Sequence, residues 1–470
     1  MTAEQNTLIS TAKDSKGFSL TIYNQDFAVV REQRQLTLDQ GTNFVRYEDV
    51  SAQIDPTSMT LKSLTAPDTV AVREQNYQYD LLNASSILNK SVGKTIRLRR
   101  VNPDGQVEIL EGTLLNPPSH SNYHAQVYGT VIRLQDGRIV LNPSGEVEVL
   151  EMPEGLVSRP SLLWKLDVTE AGTHTTEVSY MANRITWKAD YVAVVNKDET
   201  NVDIMGWVTL DNRSGATYED AELQLIAGDV RRVKEQRRSF DEDSRTVCYS
   251  IVAPEPQFQE EAFFEYHLYT LQGSTTVRDN ETKQLTLLSA VDVGVQRRLV
   301  YDCGRQGQSQ NNYYGDEGET KRGKVNVVLE LHNSQENNMG MPLPKGKVRV
   351  YKADDRGNLQ FLGEDLIDHT PRNETARFYI GDSFDVIGER KCIEDRGIAN
   401  NVSEQTVEIS IRNRKNNSAE VSVVERFRTD WEILQSSHTY NNLDARTVEF
   451  AIAVEPDTEV KITYKVRLIR

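Results

Sequence analysis

The chain has 470 residues, of which 38% are hydrophobic and 26% charged, as expected for roughly two to four packed domains. Its formal net charge of −16 speaks against nucleic acid or an anionic membrane surface as a partner of the whole protein. No apolar run approaches the roughly 20 residues that span a bilayer, so we expect no membrane insertion. The first residues lack the basic and apolar regions of a signal peptide. This predicts a cytoplasmic protein, or an exported one if a signal peptide has been trimmed.

Residues 1–75 have the alternating pattern of β-strands. In "FSLTIYN", the residues Phe18, Leu20 and Ile22 are separated by polar or small neighbours, which places them on one face of a strand. Turn signals such as "LDQGTN" separate the strands. We expect these N-terminal strands to pack with the central sandwich that follows later in the chain.

Residues 76–155 are predicted to form a compact unit of their own. The unit opens with a short predicted helix around residues 80–88 and continues through about five short strands, joined by the tight turns "NPDG", "QDGR" and "NPSG". A helix followed by strands of this length predicts a small SH3- or Sm-like barrel inserted into the larger fold.

The rest of the chain returns to longer strands. Residues 156–262 predict a central β-sandwich that ends in a polar linker at residues 233–262, and residues 263–470 predict a C-terminal sandwich region with a mobile loop at residues 303–323. The segments "KVNVVLELHN", "TVEISIRN" and "EVKITYKVRLI" alternate in the manner of half-buried antiparallel strands. The predicted fold class is therefore all-β, with multi-domain antiparallel β-sandwiches and one small inserted barrel.

Two local motifs resemble ligand sites. "SVGKTI" resembles a phosphate loop, but Leu88 stands where the first glycine is needed and a strand follows instead of a helix. We interpret Gly93 as a turn residue before a barrel strand. "HSNYH" places His120 and His124 four apart, which could hold zinc on a helix, but two prolines precede it and no third ligand is near. A polar loop is the favoured interpretation.

Two charged segments are also better explained by structure than by ligands. "DDRGNLQFLGED" is rich in carboxylates, but Arg356 stands where a calcium loop needs an oxygen ligand. A hairpin with Gly357 and Asn358 at the turn is predicted instead. The basic segment "DVRRVKEQRRS" has no interleaved aromatic residues, which favours a solvated linker over a nucleic-acid site.

The cysteines Cys248, Cys303 and Cys392 lie far apart, and none has C-x-x-C spacing. This odd and sparse set is not a disulfide framework. We expect three unpaired thiols, with a single bridge as the alternative.

The segment "RITWKADYVAVV" combines large aromatic residues with a Lys–Asp pair. On a strand, Trp187 and Tyr191 share one face, whereas Lys188 and Asp190 share the other. This separation does not suit a ring-lined catalytic pocket around the two charges. We expect the rings to fill the core and the charges to be exposed. The alternative is an exposed aromatic platform for sugar rings, formed by Trp187 and Tyr191.

"SYMANRITWKADYVAVV" and "GWVTLDNRSGATYEDAELQLIAGDVRRV" resemble a mostly bacterial family, the domain of unknown function 4139 family, some of whose members are called mucoidy-inhibitor-like. The matching residues are Tyr180, Trp187, Tyr191, Asn212, Gly215, Leu223, Leu225, Ala227 and Gly228. The resemblance extends over most of the chain and implies no established catalytic residue. The mucoidy-inhibitor-like members carry a coiled coil where this chain has the predicted barrel, so their roles are not transferred. Many relatives are exported, which implies export as the alternative to a cytoplasmic location.

We therefore expect a non-catalytic binding or scaffolding protein, with a protein partner or a second copy of itself as partner and carbohydrate as an alternative ligand. No catalytic, cofactor-binding or metal-binding residue is predicted, and no cofactor. Two other functions stay open. One is a hydrolase or metal-dependent enzyme that acts on envelope or carbohydrate material at an inter-domain cleft, and the other is a structural subunit of a larger homo-oligomeric assembly.

Overall fold

The computed structural model describes residues 7–101, 105–117, 119–120, 127–228, 230, 257–304 and 320–469. Strands account for 68% of the structure and helices for 5%. The predicted all-β class is confirmed, with several multi-stranded sheets. The cause is the alternation of apolar and polar residues over most of the chain, which suits strands with one buried face.

The chain forms two compact units, each built from three stretches of sequence. The first unit comprises Met1–Thr186, Asp211–Gln224 and Gly273–Thr282. The second unit comprises Trp187–Leu210, Leu225–Gln272 and Lys283–Arg470. This division is coarser than the four segments predicted from composition.

The strands up to residue 183 belong to the first unit. They are β1 (Thr7–Ser10), β2 (Ser15–Tyr23), β3 (Phe27–Leu38), β4 (Gly41–Glu48), β5 (Thr60–Ser63), β6 (Val70–Gln78), β7 (Thr95–Val101), β8 (Val107–Asn116), β9 (Ser119–His120), β10 (Val127–Tyr128), β11 (Val131–Leu134), β12 (Ile139–Leu141), β13 (Glu146–Val149), β14 (Ser161–Val168) and β15 (Gly172–Asn183). In the described residues, the helical elements are α1 (Ala84–Lys90) and short 3-10 turns at Ala12–Asp14, Pro56–Ser58, Pro67–Thr69 and Gln335–Asn337.

The later strands are longer on average. They are β16 (Ile185–Val195), β17 (Asn201–Asn212), β18 (Tyr218–Ala227), β19 (Phe258–Phe263), β20 (Tyr266–Val277), β21 (Glu281–Asp302), β22 (Thr320–His332), β23 (Gly346–Ala353), β24 (Leu359–Ile367), β25 (Thr375–Ala399), β26 (Val402–Asn413), β27 (Ala419–Arg426), β28 (Asp430–Ser436), β29 (Asn441–Asp444), β30 (Thr447–Val454) and β31 (Glu459–Ile469).

In the first unit, β1, β4, β14 and β6 form one sheet in that order. A second sheet contains β2, β3, β15 and β5, and here β15 pairs with β3 in antiparallel register along its whole length. Leu20 and Ile22 of β2 are fully buried, as the alternation predicts. On β3 the same inward face carries Glu32 and Arg34, so this core contains a buried ion pair.

The segment predicted as a small barrel is a five-stranded antiparallel sheet in the order β12-β11-β8-β7-β13. Among the described residues its outer strands β12 and β13 do not pair, so the sheet is open. Its core is small and centres on Ile96, Leu114 and Ile132. The helix begins at Ala84, later than predicted. The reason is a cap, because the Asn83 side chain accepts a hydrogen bond from the Ser86 N–H at 2.9 Å.

In the second unit, one large sheet follows the order β24-β23-β16-β17-β21-β22-β25-β26-β31-β28, with β27, β30 and β29 attached through β21. The predicted alternation of β26 and β31 is confirmed. Val407, Ile409 and Ile411 share one core with Ile462, Tyr464, Val466 and Leu468.

Not every pair of strands is antiparallel, which corrects the prediction. The pairs β1–β4, β16–β23 and β21–β27 run parallel. Parallel neighbours need a long connection between them, and local alternation says nothing about which distant strand becomes a neighbour. A second correction concerns the predicted linker, because its end forms strand β19 (Phe258–Phe263). The remainder of that linker and most of the predicted loop at residues 303–323 lie outside the described residues.

Among the described residues, a buried asparagine at or just after the end of a strand occurs three times, at Asn212, Asn333 and Asn413. In each case the side-chain NH₂ donates to three main-chain carbonyls, and the side-chain oxygen accepts one backbone N–H. Asn212 donates to the carbonyls of Ala216, Val277 and Arg278. Asn333 donates to those of Met341, Thr370 and Pro371. Asn413 donates to those of Asn417, Val454 and Glu455. The same corner is thus built once in the first unit and twice in the second.

Candidate functional site

Trp187 and Tyr191, the candidates for an aromatic platform, both lie inside the second unit. Their side chains are 2% and 1% exposed. The Trp187 indole N–H donates to the Ile226 carbonyl at 3.2 Å, and the Tyr191 hydroxyl donates to the Pro344 carbonyl at 2.8 Å. Burial raises the pKa of Tyr191 well above its ordinary value, and the nearby Tyr269 adds to the shift. Neither ring presents a face to solvent, so Trp187 and Tyr191 do not form an exposed platform for a sugar.

The two charges of this strand do not share the predicted exposed environment. Lys188 is exposed, but Asp190 is 7% exposed. The Asp190 carboxylate accepts a hydrogen bond from the Thr209 hydroxyl at 2.8 Å and lies 3.8 Å from the Arg349 guanidinium. The prediction for Asp190 was wrong because strands β17 and β23 bring polar partners to that face, where a buried carboxylate can be satisfied.

The residues that carry the family resemblance have structural roles. Tyr180 is buried, like the two rings of β16, and Asn212 forms the corner described above. Gly215 follows that corner with φ +81°, and a Cβ at this position would come within 2.6 Å of the Ala52 Cβ. A glycine is required there for two independent reasons, backbone conformation and space.

The local motifs behave as turns where the structure describes them. Gly93 has φ +83° two residues before β7 begins. Gly357 lies in the β23–β24 hairpin, where the Asp354 N–H donates to the Asn358 carbonyl at 2.9 Å. His120 lies in β9, and His124 lies outside the described residues. The basic segment at residues 229–239 also lies outside them, apart from Val230.

The two described cysteines, Cys303 and Cys392, form no disulfide with each other, and Cys248 lies outside the described residues. Across the part of the chain that the structure describes, no group of three or more His, Cys, Asp or Glu residues could hold a metal ion. In the same residues, no helix has the length and apolar character to span a bilayer.

A cavity suited to a small ligand lies within the second unit and has a volume of about 220 Å³. Three pairs of neighbouring strands build it. Arg297 of β21 lies opposite Leu329 of β22, and Val327 of β22 lies opposite Gly381 of β25. The third pair is Val195 of β16 and Lys352 of β23. We call this cavity the Glu199 pocket, after the acidic residue at its wall; it is lined by Val195, Glu199, Arg297, Val327, Leu329, Lys352, Leu362, Ile380, Gly381 and Asp382.

The Glu199 pocket is open because a glycine lines one of its walls. Gly381 contributes no side chain opposite Val327, and nothing lies within 4 Å of the position a Cβ would take there. The neighbouring walls are apolar, from Val195, Leu329 and Ile380. Apolar walls with a few convergent polar groups are the usual composition of a small-molecule site.

The polar groups of the pocket meet at Glu199, in the turn between β16 and β17. One carboxylate oxygen lies 2.7 Å from Lys352 Nζ and the other lies 3.1 Å from the Arg297 guanidinium. Burial acts to raise the pKa of Glu199, but the hydrogen bond from Lys352 and the charges of Arg297, Lys352 and Lys415 lower it overall. The carboxylate is therefore ionised at neutral pH and held in place.

The positive charge of Lys415, in the turn between β26 and β27, also acts on Glu199, although Lys415 is not a lining residue of the pocket. Burial and the charge of Arg297 lower the pKa of Lys415, although Glu199 and Asp385 oppose the shift. In the described part of the chain, Lys415 has no carboxylate within ion-pair distance.

A second cavity, of about 460 Å³, lies on the opposite face of the β21–β22 ladder. Its walls are mostly polar and include Glu330, His332 and Asn337. Glu330 is already paired with Arg298 at 3.2 Å and with Arg377 at 2.8 Å. Because Glu330 is compensated and Val295 is the one aliphatic side chain among the described lining residues, this cavity is a weaker candidate.

No family model matches the chain, and no curated protein matches it.

Sequence reasoning did not identify Glu199, Arg297, Lys352 or Lys415. Each is a single charged residue on a strand or turn, and charged residues in such positions usually face solvent. Only Glu199 carries a weak local signal, since it lies in the turn "NKDET", where it has φ +61°. The pocket depends on distant strands becoming neighbours, which no local pattern encodes.

Proposed function

We propose that the protein is a non-catalytic binding or scaffolding protein, and that the Glu199 pocket is its small-molecule site. The observation that carries this proposal is a cavity with apolar walls whose central carboxylate is held between two cations. Polar groups fixed in this manner can orient a ligand at little entropic cost.

The state of Glu199 favours binding over catalysis. A carboxylate that acts as a general acid or base near neutral pH needs a raised pKa. In this pocket the pKa of Glu199 is lowered instead, because Lys352 and Arg297 outweigh the effect of burial. Asp382 at the same cavity is also engaged, with Lys324 Nζ at 2.9 Å and the Tyr379 hydroxyl at 2.7 Å.

A screen of small-molecule fragments by methyl NMR tests the proposal. Ligands in the pocket should shift the methyl signals of Val195, Val327 and Leu329. The methyl groups of Ile96 and Leu114 belong to the separate small core of the five-stranded sheet in the first unit and should not respond. The proposal fails if no fragment shifts the pocket methyl groups selectively, or if bound fragments are converted to products at a rate above that of the buffer.

A homo-oligomer is the second candidate function, and exposed apolar residues on β24 favour it. β24 is the end strand of its sheet, and Leu359, Phe361 and Leu366 are 53%, 53% and 71% exposed. Apolar side chains on an end strand favour pairing with a second copy. Sedimentation velocity across a concentration series tests this, with Phe361→Lys as the disrupting variant. A monomer at every concentration would rule the candidate out.

We also propose kinship with the domain of unknown function 4139 family. The support is that the matching residues, among them Tyr180, Asn212 and Gly215, occupy core and corner positions on which the fold depends. A crystal structure of a clear family member tests this proposal, since it should contain the same Asn212-type corner.

A further inference from the structure

The hairpin formed by β19 and β20 ends in two exposed aromatic residues. Phe263 pairs with Tyr266 across the hairpin, and Phe264 is the first residue of the two-residue loop between them. Phe263 and Phe264 are 54% and 87% exposed. From Glu261 to the loop every residue of β19 is exposed, so neither face of the strand is covered at this end. Adjacent rings left in water are typical of a contact site.

The backbone and two neighbouring residues hold Phe264 in place. Its φ is +56°, a conformation that is costly for a bulky side chain and that hairpin loops usually assign to Gly, Asn or Asp. The centroid of its ring lies 6.4 Å from that of the Tyr266 ring. The Tyr266 ring in turn lies against Gly228, where a Cβ would come within 2.3 Å of Tyr266 Cδ1. Phe264 is thus presented to solvent in a supported position, which lowers the entropic cost of binding.

The charges beside the two rings limit the kind of partner. Glu261 precedes the tip and Glu265 is the second residue of the loop, and both are exposed. Neither carboxylate forms an ion pair or a hydrogen bond with another described residue. Negative charge at the tip opposes docking on an anionic membrane or on nucleic acid. A protein surface with an apolar pocket for an aromatic ring is therefore the partner that fits the tip.

The Glu199 pocket of a second copy offers such a surface. Its walls include aliphatic side chains, among them Val195 and Leu329, and its volume is about 220 Å³. An apolar cavity of about 150 Å³ binds benzene, so the pocket has room for a phenyl ring. Leu362 at its wall is 41% exposed, which places the pocket at the surface. The lining residues Arg297 and Lys352 have the opposite charge to the tip, which favours the docking orientation, while the apolar walls supply the stability.

We propose that the Phe264 ring of one molecule docks in the Glu199 pocket of a second copy. This inference rests on the proposed binding function of the Glu199 pocket and adds the partner that occupies it. In a single molecule Phe264 is exposed, so its ring does not occupy the pocket of its own chain. A small molecule in the pocket competes with the ring, and the ligand thereby controls self-association.

Sedimentation velocity of the full chain across a concentration series tests the inference with two variants. Phe264→Asn removes the ring and tolerates the positive φ, and Val327→Phe fills the space opposite Gly381 with a ring of its own. The wild type should self-associate, and each variant alone should do so more than about tenfold more weakly, because a buried aromatic anchor dominates a contact of this kind. Leu443→Ser removes another exposed apolar side chain of the second unit and serves as the matched control, with no effect expected.

Mixing the two variants tests the contact itself. Phe264→Asn keeps an intact pocket and Val327→Phe keeps an intact tip, so an equimolar mixture should form a one-to-one complex that neither variant forms alone. N-acetylphenylalaninamide serves as the small probe for the pocket. It should shift the methyl signals of Val195 and Leu329 in Phe264→Asn, and it should dissociate the assembly of the wild type.

The outcomes separate this inference from the proposed function. If the probe binds at the pocket but the wild type is a monomer at every concentration, the inference is overturned and the binding function stands. Self-association that persists in Phe264→Asn and is lost in Phe361→Lys would assign the contact to β24 instead. A mixture of the two variants that forms no complex, or binding of the tip to phosphatidylcholine–phosphatidylglycerol vesicles that Phe264→Asn abolishes, would also overturn it. If the wild type stays a monomer and no probe or fragment shifts the pocket methyl groups, both proposals fail.

Discussion

Replacing Arg34 by methionine tests whether the buried ion pair of the first unit is an energetic weak point. Arg34 is fully buried beneath the strands, and its guanidinium donates to both oxygens of Glu32 at 2.7 and 3.0 Å. It also donates to the carbonyls of Ser10 and Glu48, and its central carbon lies 3.6 Å from the ring centroid of Tyr47. Methionine retains much of the apolar stem but leaves the Glu32 carboxylate and two carbonyls without these donors.

The expected cost is large because the remaining charge has no access to water. Removing one partner of a buried ion pair typically destabilises a protein by about 3–5 kcal/mol. The Glu32 side chain is 1% exposed, so the full range applies to the Arg34→Met variant at pH 8. The double variant Glu32→Gln with Arg34→Met should recover much of the loss, because no buried charge is then left unpaired.

The loss should also depend on pH. Burial raises the pKa of Glu32 above its ordinary value of 4.5, while Arg34 opposes the shift. Without Arg34 the pKa rises further. A raised folded-state pKa means that stability from protonation is present below about pH 4.5 and is lost as the pH rises through the folded value. Arg34→Met should therefore lower the free energy of unfolding, relative to the wild type, by less at pH 5 than at pH 8.

Hydrogen exchange of the β3 and β15 amides in a urea series measures this effect in the first unit itself. This readout avoids the assumption that the two units unfold together. If Arg34→Met lowers the free energy of unfolding by less than about 1 kcal/mol at pH 8, the Glu32–Arg34 pair does not behave as a buried ion pair, because exposed pairs contribute no more than that. If the free energy of unfolding falls by the same amount at pH 5 and pH 8, Glu32 is not the group that Arg34→Met leaves unpaired.

Three further predictions concern single side chains. Trp187→Phe keeps an apolar ring but removes the indole donor, so the free energy of unfolding in urea should fall by about 1–3 kcal/mol; no loss would contradict the hydrogen bond. Gly215→Ala should destabilise more than Gly357→Ala, because φ is similar at both (+81° and +83°) but only the first Cβ would meet Ala52; equal losses would contradict the clash. Burial raises the pKa of Tyr77 from 10.0 to about 12, so the stability this phenol contributes is complete below about pH 10 and lost as the pH rises through about 12. Tyr77→Phe should show a shallower alkaline unfolding curve by circular dichroism, and an unchanged slope would refute the assignment.

The fold class and the roles of many single residues follow from local pattern. Alternation on β2, β26 and β31 identified their buried faces, and the same period placed Trp187 and Tyr191 on one face of β16. The turn signals also identified Gly93 and Gly357 as turn residues. These features depend on neighbours a few residues away, so the sequence contains the information needed to predict them.

The environment of a charged residue could not be predicted in the same way. Asp190 has the local pattern of an exposed charge, yet its partners Thr209 and Arg349 come from two other strands. Glu32 and Arg34 likewise lie in an alternating strand. Their positions in the alternation predict that they face the core, but charged side chains usually face solvent. Burial of such groups is tolerable only when distant backbone and side-chain partners satisfy them.

The sequence alone therefore determined that this protein is all-β and which residues fill its cores, because periodicity and turn chemistry act over short distances. The tertiary structure decided which strands became neighbours, including the parallel pair of β16 and β23. That pairing brings Val195 beside Lys352, and the turn after β16 brings Glu199 to the same place. The candidate site exists only through these contacts, because a single charge on a strand gains its chemistry from partners more than 90 residues away.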